Sequence, residues 1–274
     1  MFENFILNSE NMDLFGYNWP VEQPVAVVCL IHGIGEYAAR YDEVAEIFNK
    51  GNISVLSMDL RGHGRTGGTR GHAAPRNLIL KDMDNLIKYA QSRYPGKDIF
   101  IYGHSMGGNI GLDYRMNGKF RDTPKGYIIT DPWLILIKKV SAPLQFIVGI
   151  ISKIKPDFTM RTGLDVSQLA HVENEIKKYA KDSNIHGRIS VQTAVDCMKA
   201  GEQILSNTSQ KKGKLLLMHG TMDKICDIQG SRQLKQIEGE NAILIEWEGL
   251  YHEIHNEKER ESVIQAIIKW IKKD

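Results

Sequence analysis

Gly103-His104-Ser105-Met106-Gly107-Gly108 lies between the apolar run Asp98-Ile99-Phe100-Ile101-Tyr102 and the helix-forming run Asn109-Ile110-Gly111-Leu112-Asp113-Tyr114-Arg115. A serine flanked by glycines, where a buried strand turns sharply into a helix, is the arrangement called a nucleophile elbow. The glycines are needed because the strained turn leaves no room for side chains beside the serine. A reacting group must also approach Ser105 from outside the sheet.

An elbow of this kind predicts two partners further along the chain, a carboxylate and then a histidine. Lys214-Leu215-Leu216-Leu217-Met218-His219-Gly220 reads as a short buried strand. Thr221-Met222-Asp223 then places Asp223 beyond its C-terminal end, where ligand chemistry collects in open parallel sheets. A later strand candidate, 242–247, is followed by Gly249-Leu250-Tyr251-His252, which puts His252 in a loop. His252 is expected to take the Ser105 proton, with Asp223 holding the imidazole's tautomer and stabilising its charged form. Asp227 is the second choice for the acid, and His255 the weaker candidate for the base. The oxyanion donors expected are the backbone N–H of Met106, at the start of a helix, and that of Ile34, after the apolar strand 25–31 and His32-Gly33.

Strand candidates at 25–31, 54–59, 98–102, 126–130, 215–218 and 242–247 alternate with helical stretches such as 77–93 and 259–272. That pattern specifies an α/β protein with a mostly parallel sheet covered on both faces. Between Asp131 and Thr208 the alternation stops. The division expected is a core of residues 1–130 and 209–274 with an insertion, here called the cap, at 131–208. Two apolar runs lie there, Trp133-Leu134-Ile135-Leu136-Ile137 and Phe146-Ile147-Val148-Gly149-Ile150-Ile151. Lys138, Lys139 and Pro143 interrupt them, against the roughly twenty apolar residues that a membrane span needs. Three readings stand: buried packing of the cap, lining of an acyl tunnel over Ser105, or transient contact with a membrane or micelle surface, lysines at the headgroups. In the charged stretch 173–182, Tyr179 and Asp182 face either the pocket mouth or solvent.

The 274 residues, 42% hydrophobic, suit one such domain. A net charge of +2 without a dense basic cluster gives no footing for nucleic acid. Three widely spaced cysteines, Cys29, Cys197 and Cys226, read as free thiols in a reducing compartment. Cys226, close to Asp223, reads as a bystander. The N-terminal Met1-Phe2-Glu3-Asn4-Phe5-Ile6-Leu7-Asn8 lacks the basic start and long apolar core of a signal peptide, so a cytoplasmic protein, peripheral at a membrane if the cap contacts lipid, is expected.

His32-Gly33-Ile34-Gly35-Glu36 with Arg40-Tyr41, Asp59-Leu60-Arg61-Gly62-His63-Gly64, the elbow, His219-Gly220-Thr221-Met222-Asp223 and Tyr251-His252-Glu253-Ile254-His255-Asn256-Glu257 together resemble the monoacylglycerol lipases and lysophospholipases of the α/β-hydrolase superfamily. The resemblance runs over nearly the whole chain. It implies the α/β-hydrolase fold with a helical cap, Ser105, Asp223 and His252 as catalytic triad, and Ile34 and Met106 as oxyanion donors. It also implies that Glu36, Arg40, His104 and His255 line the polar end of the pocket, to which Tyr179 is added. For Glu36 and Arg40 a structural ion pair bracing the oxyanion loop is the competing reading. One departure stands out: Asp131-Pro132-Trp133 follows strand 126–130 where small residues and a serine are expected, close to the position of an acid on the strand after the nucleophile.

The activity implied is hydrolysis of monoacylglycerols through an acyl-enzyme, with no metal and no organic cofactor. The rivals are a lysophospholipase, a short-chain carboxylesterase, an iminopeptidase using Glu36 for a free amine, and a hydrolase-fold binding protein without chemistry.

Overall fold

The computed structural model describes residues 2–138, 140–207 and 213–273. Eight strands form one sheet in the order β1-β2-β4-β3-β5-β6-β9-β10. β1 (Glu3–Ser9) and β2 (Met12–Trp19) make an antiparallel hairpin, and β2 runs antiparallel to β4 (Ile53–Met58). All later neighbours are parallel: β4 with β3 (Ala26–Ile31), then β5 (Asp98–His104), β6 (Gly126–Thr130), β9 (Lys214–Gly220) and β10 (Ala242–Trp247). β3, β4 and β6 are buried at every position, as strands covered on both faces must be.

Helices α1 (Asp42–Lys50) and α8 (Arg260–Lys273) cover one face. α2 (Arg76–Arg93), α3 (Met106–Asn117) and α7 (Ile228–Glu238) cover the other. In α8 the buried Val263, Ile264, Ile267, Ile268 and Ile271 recur at helical spacing and form the stripe that docks on the sheet. The six expected strands are all present. The β1–β2 hairpin is an addition to them. Its turn residues Glu10 and Asn11 both take positive φ, 48° and 61°, the backbone of a tight hairpin turn. Asn11 is usual there and Glu10 is not, so the turn signal is half hidden.

The stretch after β6 is irregular as far as Lys138. It continues through α4 (Ala142–Ile154), β7 (Thr159–Arg161), α5 (Glu173–Lys181), β8 (Arg188–Ser190) and α6 (Val191–Ser206), with β7 and β8 pairing antiparallel. α6 buries Cys197, Ala200 and Ile204 in the same cluster as α2 and α3. The two apolar runs part company. Trp133 and Leu134 are buried in the core, and the run pairs with the loop after Asp223, Ile137 N–H donating to the Ile225 carbonyl at 3.1 Å. The second run lies in α4, where Val148 is buried but Phe146 and Ile154 are 70% and 78% exposed. Buried packing therefore describes the start of the first run, whose Ile137 is 48% exposed, and in the second run only Val148. Lys139 and Thr208 lie outside the described residues. Among the described residues no helix is long and apolar enough to cross a membrane.

Candidate active site

β5 hands the chain to α3 through Ser105, whose φ of 54° and ψ of −116° lie in a sparsely populated region for a non-glycine residue. Holding such a conformation costs on the order of 1–3 kcal/mol and persists only where the surroundings enforce it. The enforcement is visible. Ser105 N–H donates to the Thr130 carbonyl at 3.0 Å, and the Ser105 carbonyl accepts from Trp133 N–H and Asn109 N–H, each at 3.0 Å. A Cβ on Gly107 would run into the Ile31 carbonyl, and one on Gly103 into the Gly107 carbonyl, so neither position tolerates a side chain.

Asp223, beyond β9, and His252, beyond β10, meet the serine from the neighbouring sheet edge. His252 Nε2 lies 2.9 Å from Ser105 Oγ, and Nδ1 lies 2.7 Å from Asp223 Oδ2. All three side chains are buried. Burial alone would raise the Asp223 carboxyl; His252 and His219 more than reverse this and hold it well below the usual carboxylate range. Burial likewise opposes a charged His252, yet the Asp223 carboxylate overrides it and raises the imidazole above its ordinary value. The line Asp223, His252, Ser105 is thus arranged to accept a proton from the hydroxyl and to stabilise the cation that results.

Ile34 and Ser105 line one recess, and Met106 opens α3, so its N–H is among the donors at the helix N-terminus. The loop carrying Ile34 is fastened at both ends. His32 Nδ1 pairs with the Gly33 carbonyl at 2.8 Å while Nε2 accepts Leu60 N–H at 3.0 Å. Glu36 accepts Gly33 N–H at 2.6 Å, the Tyr41 hydroxyl at 2.9 Å and the Arg40 guanidinium. Arg40 also forks onto both oxygens of Glu253, each at 2.9 Å, and packs over the Tyr179 ring. Burial would raise Glu253, but Arg40 pulls it down to about 2. Burial raises Glu36 against the pull of the same arginine. His104 sits between the His252 and His255 rings, with centroids 4.8 Å and 4.6 Å away, and His255 stacks on Tyr41. Burial pushes His255 down to about 3.

From Ser105 and Ile34 a second, largely apolar cavity of about 630 Å³ runs between the core and the stretch after β6, walled by Trp133, Leu136, Leu144 and Ile189. That volume is in the range of small-molecule sites.

The family model described as "Serine aminopeptidase, S33" matches residues 22–259. The chain belongs to that family. Within the α/β-hydrolases it is similar to a monoacylglycerol lipase of Mycolicibacterium smegmatis, 29% identical over 92% of this chain and 90% of that one. It is also similar to phospholipase YtpA of Bacillus subtilis, 31% identical over 91% and 96%. An uncharacterized abhydrolase domain-containing protein of Dictyostelium discoideum is 32% identical over 97% of this chain, which spans only 28% of that longer protein. Among solved structures, the monoacylglycerol lipase of Paleococcus ferrophilus superposes with a TM-score of 0.86 at 28% identity, covering 94% of this chain and 98% of that one.

In this S33 hydrolase several sequence expectations take a different form. Asp227 caps α7, accepting Gln229 N–H at 2.9 Å, and does not reach the His252 line. His255 is buried behind the recess, packed on Tyr41 and against His104. Glu36 and Arg40 form the ion pair that braces the loop of Ile34, and Glu36 also lines the recess. Asp182 accepts the Tyr37 hydroxyl at 2.6 Å, while Tyr179 is buried against the recess. Cys226 lines the apolar cavity and its N–H donates to Asp223 Oδ1 at 3.1 Å, so its backbone holds the acid. Its thiol is kept protonated by burial and by Asp223. Glu253 and His32 take structural parts in the site that their sequence positions do not announce. Among the described residues two trios offer metal-ligand atoms within 4.8 Å, Asp223/Cys226/His252 and Asp131/His219/Asp223. In the first, both imidazole nitrogens of His252 are already engaged by Ser105 and Asp223.

Proposed function

We propose that the protein cleaves monoacylglycerols to fatty acid and glycerol through an acyl-enzyme on Ser105. It is a carboxylic ester hydrolase. The observation that carries the reading is the buried line of Asp223, His252 and Ser105, at 2.7 Å and 2.9 Å, placed where an apolar cavity meets a polar recess. An ester with one apolar tail and one small polar head matches that junction.

In the first half-reaction Ser105 Oγ attacks the ester carbonyl as His252 Nε2 takes its proton, and the oxyanion forms beside the N–H groups of Ile34 and Met106. The C–O bond to glycerol then breaks, and His252 returns the proton to the leaving oxygen. In the second, His252 takes a proton from water as the water oxygen attacks the acyl carbon; the bond from that carbon to Ser105 Oγ then breaks, His252 returns the proton to Oγ, and the fatty acid leaves. Asp223 stays ionised throughout. The recess lined by Glu36, His104 and Tyr179, backed by Arg40 over the Tyr179 ring and by His255 against His104, receives the glycerol hydroxyls, and the apolar cavity receives the chain. α4, with its exposed Phe146, Ile147, Ile150 and Ile154 beside Lys153 and Lys155, rests on the lipid surface from which the chain is drawn.

A lysophospholipase is the second reading. Lys138 and Lys224 on the cavity wall favour it, as does the likeness to a Bacillus phospholipase. Parallel rates on a monoacylglycerol, a diacylglycerol, a lysophosphatidylcholine and a short p-nitrophenyl ester decide between them, with preference for the first expected. Ser105→Ala is expected to abolish hydrolysis and fluorophosphonate labelling in a folded protein. Hydrolysis by that variant would remove the mechanism.

A further inference from the structure

Asp223 touches more than His252. Its Oδ1 accepts Ile225 N–H at 2.7 Å and Cys226 N–H at 3.1 Å, and its Oδ2 lies 3.3 Å from Nε2 of the fully buried His219. His219 Nδ1 lies 2.8 Å from Ser231 Oγ, and Nε2 lies 3.2 Å from the Cys226 carbonyl. The neighbours of Nε2 are all acceptors, so that nitrogen carries a hydrogen whichever charge the ring has.

Asp131 completes the group. It follows β6, is fully buried, and adopts a left-handed φ of 46°, uncommon for any residue but glycine. Its Oδ1 accepts Gly220 N–H at 2.9 Å and lies 3.9 Å from His219 Nε2. Its Oδ2 has no hydrogen-bond partner among the described residues. The Gly220 carbonyl in turn accepts Asp223 N–H at 3.1 Å, so the turn that carries the acid hangs on Asp131 through Gly220. Like charges in one dry site disfavour each other. His252 holds Asp223 ionised, so Asp131 is the acid that keeps its proton. Burial first, and the Asp223 charge second, hold its carboxyl well above the usual range.

We propose that Asp131 and His219 are positioning residues for the triad acid: Asp131 fixes the Gly220–Asp223 turn by accepting Gly220 N–H, and His219 donates to Asp223 and orients its carboxylate toward His252. The inference rests on the reading of Asp223 as that acid. It converts the departure at Asp131-Pro132-Trp133 from an oddity into a support for the site. An uncharged Asp131 adds no field at His252, which faces the carboxylates of Asp223, Glu253 and Glu36 and the rings of His104 and His255. Asp131 itself faces Asp223, His219, Glu253, Glu257 and, from β5, Tyr102.

The test measures kcat, KM and the pH profile on one monoacylglycerol for Asp131→Ala, Asp131→Asn, His219→Leu and His219→Gln beside Asp223→Asn, with circular dichroism for folding. Asp131→Ala is expected to lower kcat about tenfold or more with KM little changed, since a misplacement of about 1 Å can cost 10²-fold. Asp131→Asn, as large as the protonated acid and as neutral, recovers most of that loss and keeps the acidic limb in place. His219→Gln, which retains a donor, recovers activity lost in His219→Leu. An acidic limb moved down by about a pH unit or more in Asp131→Asn would mean a charged Asp131 and overturn the proposal. A folded Asp131→Ala with native kcat would do the same. If Asp131→Ala does not fold, the Asn variant's profile decides alone. Native activity in Asp223→Asn would instead bring down the triad reading on which the proposal stands.

Discussion

As the proposed base, His252 works only while uncharged, and its environment pulls the other way. Burial opposes the imidazolium, but Asp223, Glu253 and Glu36 together outweigh it and raise the ring above its ordinary value. The sign follows: kcat/KM rises with pH through an acidic limb above about 6.5, the usual imidazole value, and activity is lost as pH falls through that limb. In Asp223→Asn the largest of those charges is gone. A pH-rate profile is expected to show kcat down by about 10⁴ and the remaining limb moved to lower pH. Ser105, Asp223 and His252 are legible in the sequence because chain order and loop position are local signals. Glu253 and His32 are not, since a carboxylate that forks onto Arg40 and an imidazole that pins the Ile34 loop are defined by partners distant in sequence.

At the scale of elements, the six parallel-sheet strands announce themselves as short apolar runs, all but β6 leading into a turn that contains glycine, so their existence is readable and only their edges move. The β1–β2 hairpin escapes because its residues face mixed surroundings and its turn holds Glu10 in a glycine-like conformation. α4 is readable as apolar but not as exposed, because hydrophobicity does not tell which neighbours a helix finds. Its face gives a prediction. Phe146→Ser with Ile154→Ser is expected to weaken sedimentation with phospholipid vesicles about tenfold or more, each buried side chain contributing on the order of 1.5–3 kcal/mol to such transfer. Hydrolysis of a short soluble ester by the same variant stays near the native rate. Unchanged vesicle binding would place the lipid contact elsewhere.

Across the whole molecule, a buried ion pair ties two helices of one layer together far from the chemistry. Arg115, in the last turn of α3, forks onto both oxygens of Glu238 in α7 at 2.8 Å and 3.0 Å, almost wholly buried. Removing one member leaves the other charge without its partner. Glu238→Ala is expected to cost about 3–5 kcal/mol in urea unfolding while kcat at low temperature stays near native.

Ser105 and His252 stand 147 residues apart in sequence and touch only because β9 and β10 dock beside β6. Pairings of such long range form late in folding. Refolding is therefore expected to seat the serine before it brings the His252 imidazole to it. Regained reactivity toward a fluorophosphonate is expected to follow the return of helical signal and to mark the docking of β9 and β10.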